Sequence, residues 1–133
     1  MGRDMDIGWL LTSFEGRINR AKWWLGVLIL VIVQWIVWYI VAMTMGVDMM
    51  AAGDPAQMEQ MMTALGIPIF IISLIFLYPS LALYTKRWHD RGKSGWWTLI
   101  ILIPIIGGIW ALIELGILRG TVGPNQYGPD PLG

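Results

Sequence analysis

Cysteine is absent from the chain, which excludes disulfides, thiolate catalysis, zinc–thiolate clusters and iron–sulfur centres. Histidine occurs once, at position 89, so no pair of imidazoles can share a metal. Charge is scarce as well: Asp, Glu, Lys and Arg make up 14% of 133 residues, against about 25% in a soluble domain. The nine basic and nine acidic residues cancel, which removes the strong positive field that nucleic-acid binding requires. Gly92-Lys93-Ser94 ends like a phosphate-binding loop, but Arg87 stands where the first glycine of that loop must be. G-x-S-x-G is also missing, and with it the common serine-nucleophile turn.

Apolar residues are abundant, at 56% of the chain. They gather into three runs, 23–45, 67–85 and 96–118, and only Glu114 in the third carries a charge. A helix needs roughly 20 apolar residues to cross about 30 Å of hydrocarbon. A water-soluble helix would also show a polar stripe, and these runs show none. The expected architecture is therefore all-α: a single membrane domain with three transmembrane helices. Two short interfacial helices flank them. Over 5–15, Ile7, Leu10, Leu11 and Phe14 share one helical face before Gly16 breaks it; over 54–65, Asp54 and Pro55 form a start signal and Met58, Met61, Met62 and Leu65 a stripe. The tail, 119–133, is turn-forming and irregular. The first apolar run begins too late and is too long for a cleaved signal peptide.

Basic residues set the expected orientation. Arg3, Arg17, Arg20 and Lys22 precede the first run, and Lys86, Arg87, Arg91 and Lys93 lie between the second and third. The linker between the first two runs has none, and the tail has Arg119 alone. Positive charge stays in the cytoplasm, so three spans place the N-terminus inside and the C-terminus outside a plasma membrane. Trp23, Trp24, Trp88, Trp96 and Trp97 then fall at the inner boundary, where an indole buries its ring and keeps its N–H near water.

Candidate functional groups concentrate on that inner side. Arg17, Arg20, Arg87, His89, Asp90, Arg91, Ser94, Trp96 and Trp97 converge if the two basic segments meet. Guanidinium forks match phosphate oxygens, and each basic group near an anionic surface contributes on the order of 1 kcal/mol. This predicts a site for anionic phospholipid, with another membrane protein or a second copy of the chain as the remaining partner classes. The same residues also suffice as topogenic charge and an aromatic belt. His89 beside Asp90 keeps open an enzyme acting on a lipid phosphate. Glu114, an intramembrane carboxylate, keeps open an oligomeric channel or transporter subunit, although its distance in sequence suits a pair with Arg119. Methionines 43, 45, 49, 50, 58, 61 and 62 could hold Cu(I), but membrane burial and the interfacial stripe already account for four of them, and neither metal nor cofactor is expected. Pro104, Gly107 and Gly108 interrupt the third run and predict a kink, or a re-entrant hairpin that would bring the tail back to the inner side.

The motifs resemble a known family. Phe14, Gly16, Arg17, Arg20 and Trp23-Trp24 follow F-x-G-R-x-x-R-x-x-[WY]-W, and 87–97, behind Pro79, is similar to R-R-x-H-D-x-G-x-S-G-W-W. Pro104, Gly107, Gly120-Thr121, Gly123, Asn125, Tyr127-Gly128 and Asp130-Pro131 complete the pattern. Together they resemble the bacterial inner-membrane family called domain of unknown function 805, from Phe14 to the end of the chain. Lys86 departs from it, keeping the charge of the family's arginine but losing the fork. The resemblance implies a small polytopic inner-membrane protein, marks Asn125, Tyr127 and Asp130 as a tail motif, and assigns no activity.

Overall fold

The computed structural model describes residues 7–45 and 53–132. Arg3, Asp48, Met49, Met50, and residues 5 and 6 of the expected first helix, lie outside the described residues. Among the described residues the regular elements are all helical. They are α1 (Ile7–Thr12), α2 (Arg20–Thr44), α3 (Pro55–Asp90), a 3-10 helix (Gly95–Leu102) and α4 (Ile106–Leu112), which widens into a π turn over Ile113–Ile117.

Two helices, α2 and α3, are long and apolar enough to cross a membrane. Their most apolar stretches are only 6% and 0% buried within the protein. A soluble core helix would hide such a surface, so these two need lipid around them. The α2 helix starts at Asn19, whose side chain accepts the Lys22 N–H at 2.8 Å. The start of α3 follows expectation, with the Asp54 carboxylate accepting the Ala56 N–H at 3.1 Å ahead of Pro55.

The expected break at 66–68 is absent. The predicted surface helix over 54–65 and the span over 67–85 are one helix of 36 residues, about 54 Å long. Gly66 and Pro68 are punctuation in water, but an apolar helix tolerates them where little else satisfies the backbone.

The chain divides into two compact units, Met1–Ile29 with Tyr78–Gly133, and Leu30–Leu77. In the second unit, Trp35, Trp38, Tyr39, Met61, Leu65 and Ile69 line an apolar cavity of about 490 Å3. The first unit holds the buried core: Leu10, Ile18, Trp23, Ala82, Leu83, Trp88, Ala111 and Leu115. Gly26 makes room for Leu83, whose Cδ1 would lie 2.5 Å from an added Cβ. Trp88, expected at the membrane boundary, is fully buried, and Trp23 is 5% exposed; Trp24, Trp96 and Trp97 are exposed.

The third apolar run is not a spanning helix. Eight residues of 3-10 helix rise from Ser94, whose side chain caps the Trp96 N–H. The chain then reverses at 103–105. Ile103, held extended before Pro104, ends the first limb. Ile105 takes φ 66° and ψ −65°, and the Ile106 N–H donates to the Pro104 carbonyl at 2.7 Å, closing a γ-turn. The return limb packs so closely that a Cβ on Gly107 would lie 1.7 Å from the Ile100 oxygen. Both feet of the hairpin meet the same end of α3. Gly95 abuts Thr85, and the Leu115 carbonyl accepts from the Arg87 Nε at 2.6 Å. Of the two outcomes that Pro104, Gly107 and Gly108 left open, the structure contains the hairpin.

The two glycines separate by experiment. Gly107→Ala is expected to lower stability by about 1–3 kcal/mol, because backbone must move. Gly108→Ala, with open space around it, should be neutral or stabilising by up to about 1 kcal/mol. Unfolding followed by tryptophan fluorescence in detergent measures both, and equal behaviour would reject the close-packed hairpin.

Candidate functional site

The polar end of the first unit is assembled around Asp90, the last residue of α3. Its Oδ1 accepts from Arg17 Nε at 3.0 Å and pairs with Arg17 NH2 at 2.9 Å. Its Oδ2 pairs with Arg87 NH1 at 2.5 Å. All three residues are buried. Gly120 lets the tail cross this carboxylate, where a Cβ would lie 1.9 Å from Oδ2. The Thr121 N–H then donates to the Asp90 carbonyl at 2.6 Å.

Buried cations outnumber buried anions here, and backbone carbonyls absorb the excess. Arg17 donates to Thr121, Gly123 and Gly128. Arg87 donates to Leu115 and Leu118. Lys86, fully buried, donates to Trp9, Leu10 and Ser13. The last carbonyls of a helix lack intrahelical partners and carry the negative end of its dipole. Lys86 thus caps α1, and Arg87 caps the π turn. Arg20, exposed, reaches the Ile117 carbonyl at 2.8 Å.

Glu114 does not pair with Arg119. The hairpin turns it toward the basic loop, where Arg91 Nε lies 2.8 Å and Lys93 Nζ 2.7 Å from its oxygens. Lys93 also sits 4.8 Å above the Trp97 ring. Arg91 donates a second bond to the Arg119 carbonyl.

His89 and Asp90 are neighbours in sequence only. His89 Nδ1 lies 3.0 Å from the Gly16 carbonyl, and a carbonyl accepts only, so Nδ1 carries the proton and Nε2 is left bare. The imidazole stacks on Tyr127 at 3.9 Å between centroids with planes 3° apart. Asn125 Nδ2 donates to the His89 carbonyl at 2.9 Å. One turn beyond the apolar stretch of α3, burial shifts the His89 pKa below its ordinary value, which the Gly16 bond only partly opposes. The ring is therefore neutral at pH 7. Asp130 is held below the usual carboxylate range by the N–H groups of Leu132 and Gly123.

A cavity of about 470 Å3 opens beside His89, lined by Phe14, Leu81, Thr85, Ser94, Trp96, Thr98 and Leu99. Leu81, Thr85 and His89 repeat every four residues along one face of α3, a spacing present in the sequence. Thr98 carries no motif, and its buried hydroxyl has no partner. The structure therefore brings Arg17, Arg87, Asp90, His89, Asn125 and Tyr127 together, and joins Arg91 to Glu114. Ser94 and Trp96 line the cavity, and Trp97 lies beside Trp88 with centroids 6.1 Å apart and planes tilted by 33°. Arg20 stands at the exposed edge. Among the described residues no three His, Asp or Glu side chains gather to hold a metal.

Two long, exposed apolar helices, a turned-back hairpin and a charge-sealed polar end define a helical membrane protein. The chain belongs to the family described as "Protein of unknown function (DUF805)", which residues 11–129 match. It is 32% identical to the inner membrane protein YhaH of Escherichia coli (strain K12) over 120 residues, covering 90% of this chain and 87% of that one. With the inner membrane protein YhaI of the same strain it shares 32% identity over 123 residues, 90% of this chain and 86% of the relative. YiiR, also from that strain, is 28% identical over 151 residues, covering 95% and 90%. No solved structure matches. The protein is thus a transmembrane protein of the bacterial inner membrane.

Breaking the buried cluster has a calculable cost. Arg17→Leu strips one partner from a buried carboxylate and should destabilise by about 3–5 kcal/mol. Arg20→Gln, at an exposed carbonyl contact, should cost about 1 kcal/mol or less. Denaturant unfolding in detergent ranks the two, and similar losses would mean that the buried cluster does not hold this end of the protein together.

Proposed function

We propose that this protein is a non-catalytic, two-span inner-membrane protein that binds a membrane amphiphile in the cavity beside His89. Its third apolar run enters from the cytoplasmic side and returns there. Both termini are then cytoplasmic, and the C-terminus is not outside as a third span would require. Charge supports this topology: all nine basic residues fall on the cytoplasmic side, while the linker before α3 has none.

The observation that carries the binding reading is the division of labour among polar groups. The guanidiniums of Arg17 and Arg87, which would suit a lipid phosphate, already bond Asp90 and backbone carbonyls. His89 lines the cavity beside apolar walls, and with Nδ1 bound to the Gly16 carbonyl its Nε2 is the accepting nitrogen of the ring. Asp90 faces two arginines and not the imidazole, which disfavours a His–Asp acid–base pair. Anionic headgroups have a looser foothold at exposed Arg20 and Arg119, worth on the order of 1 kcal/mol each.

Single cysteines at Thr63 and Leu132 report the topology, since the chain has none of its own. An impermeant thiol reagent is expected to label position 63 in intact cells and position 132 only after permeabilisation. Labelling at 132 in intact cells would sink the two-span reading. Binding is tested with Leu81→Trp, which pushes a bulky ring into the apolar part of the cavity and obstructs it. Lipid mass spectrometry of protein purified in mild detergent should show bound amphiphile falling about tenfold, and equal amounts in both proteins would reject the site.

A further inference from the structure

The polar groups around the cavity also select among amphiphiles. Resting on the binding reading above, we infer that the cavity takes an uncharged amphiphile whose headgroup carries a hydroxyl.

The first argument is electrostatic. A carboxylate or phosphate entering an apolar cavity must be desolvated, and several kcal/mol is lost unless a charge faces it. Lys86, buried and next in the chain to the lining Thr85, is held by the carbonyls of Trp9, Leu10 and Ser13. Lys93, next to Ser94 in the chain, bonds Glu114 at 2.7 Å. Neither is among the lining residues, so no cation awaits an anion.

The second argument is the hydrogen-bond inventory. His89 Nε2, bare and neutral, can only accept. The Ser94 oxygen accepts the Trp96 N–H at 3.3 Å, which leaves its own proton to donate. The Thr98 hydroxyl is buried away from the surface and offers the cavity no donor. A site offering an acceptor at His89 and a donor at Ser94 matches a hydroxyl, which donates and accepts at once. An ether or ester oxygen would leave Nε2 unanswered, and an unmet buried polar group is costly.

The third argument is the layout. Leu81 and His89 stand two turns apart on α3, about 12 Å along its axis. Leu81 belongs to the apolar stretch of that helix and His89 to its polar end. An amphiphile lying along α3 puts its chain against Leu81 and Leu99 and its headgroup at His89. Gly95 fixes the spacing of the two walls, because a Cβ there would lie 2.6 Å from Thr85.

Farnesol and monooleoylglycerol present this headgroup chemistry on an isoprenoid and an acyl chain. Farnesyl methyl ether removes the donor, and oleate and dioleoylphosphatidylglycerol add the charge. Binding to the full-length protein in detergent is read by tryptophan fluorescence, with Leu81→Trp as the obstructed-cavity control. A hydroxyl probe is expected to bind about tenfold tighter than the ether, and whichever of the two hydroxyl probes binds tighter identifies the chain class. In His89→Phe, which keeps a ring against Tyr127, the preference for alcohol over ether should collapse. Ser94→Ala, which removes the donor, should weaken the alcohol and spare the ether, and it covers the case that His89→Phe fails to fold. Equal affinity for alcohol and ether, or tighter binding of oleate or phosphatidylglycerol, overturns the ligand class while leaving the cavity in use. Binding that Leu81→Trp does not weaken for any probe overturns the cavity itself.

Discussion

A single carboxylate holds the polar end of this protein together. Asp90 ends α3, and the two arginines it engages come from opposite directions in sequence, Arg17 ahead of the first long helix and Arg87 one turn back on its own helix. Each guanidinium has more donors than the carboxylate can use, and the surplus reaches carbonyls of the hairpin's end and the tail. Asp90 therefore does more than neutralise charge. It orients two forks, and those forks fix the path of residues 115–128. Removing the carboxylate would leave two buried cations without an anion, the costly case for a buried pair.

The same constraint explains where the basic residues went. Near a bilayer, a buried N–H or carbonyl has little water to fall back on. Helix ends expose several unpaired carbonyls, and this protein has such ends at α1 and at the π turn. Lys86 and Arg87, adjacent in the chain, cover one end each. Cations that composition alone would assign to lipid phosphate instead complete the hydrogen bonding of the backbone. What remains beside His89 is neutral, and that neutrality follows from the commitments around it.

The parts of this arrangement that depend on local rules were legible from the sequence. The all-helical class, the span over α2 and the Asp54-Pro55 start of α3 follow from run length and capping chemistry, whereas α1 stops at Thr12, short of the break expected at Gly16. The meeting of the two basic segments stood in the sequence only as a condition, and the hairpin as one of two outcomes at Pro104. Other features required knowing which residues lie across from each other. Gly66 and Pro68 would end a helix in water, and their tolerance here comes from an apolar surround. Glu114 lies five residues from Arg119, so sequence distance favoured that pair; only the reversal at Ile105 carries it to Arg91 and Lys93. His89 and Asp90 looked like a dyad because they are adjacent, yet neighbouring residues on a helix point about 100° apart. Thr98, without a motif, became visible only as an orphaned hydroxyl.

The reversal itself shows how the ends of the third run support its middle. Ile105 is β-branched and sits at positive φ, a conformation that costs on the order of 1–3 kcal/mol and persists only when the surroundings impose it. Nothing polar at the tip supplies that force, since Leu102, Ile103, Ile105 and Ile106 are all exposed apolar side chains. The imposing contacts lie at the feet. Gly95 seats one limb on Thr85, while Arg87, Arg20 and the Trp24 indole hold the carbonyls of 115–118 at the other. With both feet fixed to one end of the bundle, the eight- and twelve-residue limbs between them have no conformation except a reversal, and Pro104, lacking an N–H, places it. The strained turn is thus a consequence of the Asp90 cluster acting through Arg87, which ties the tip of the hairpin to the charges at its base.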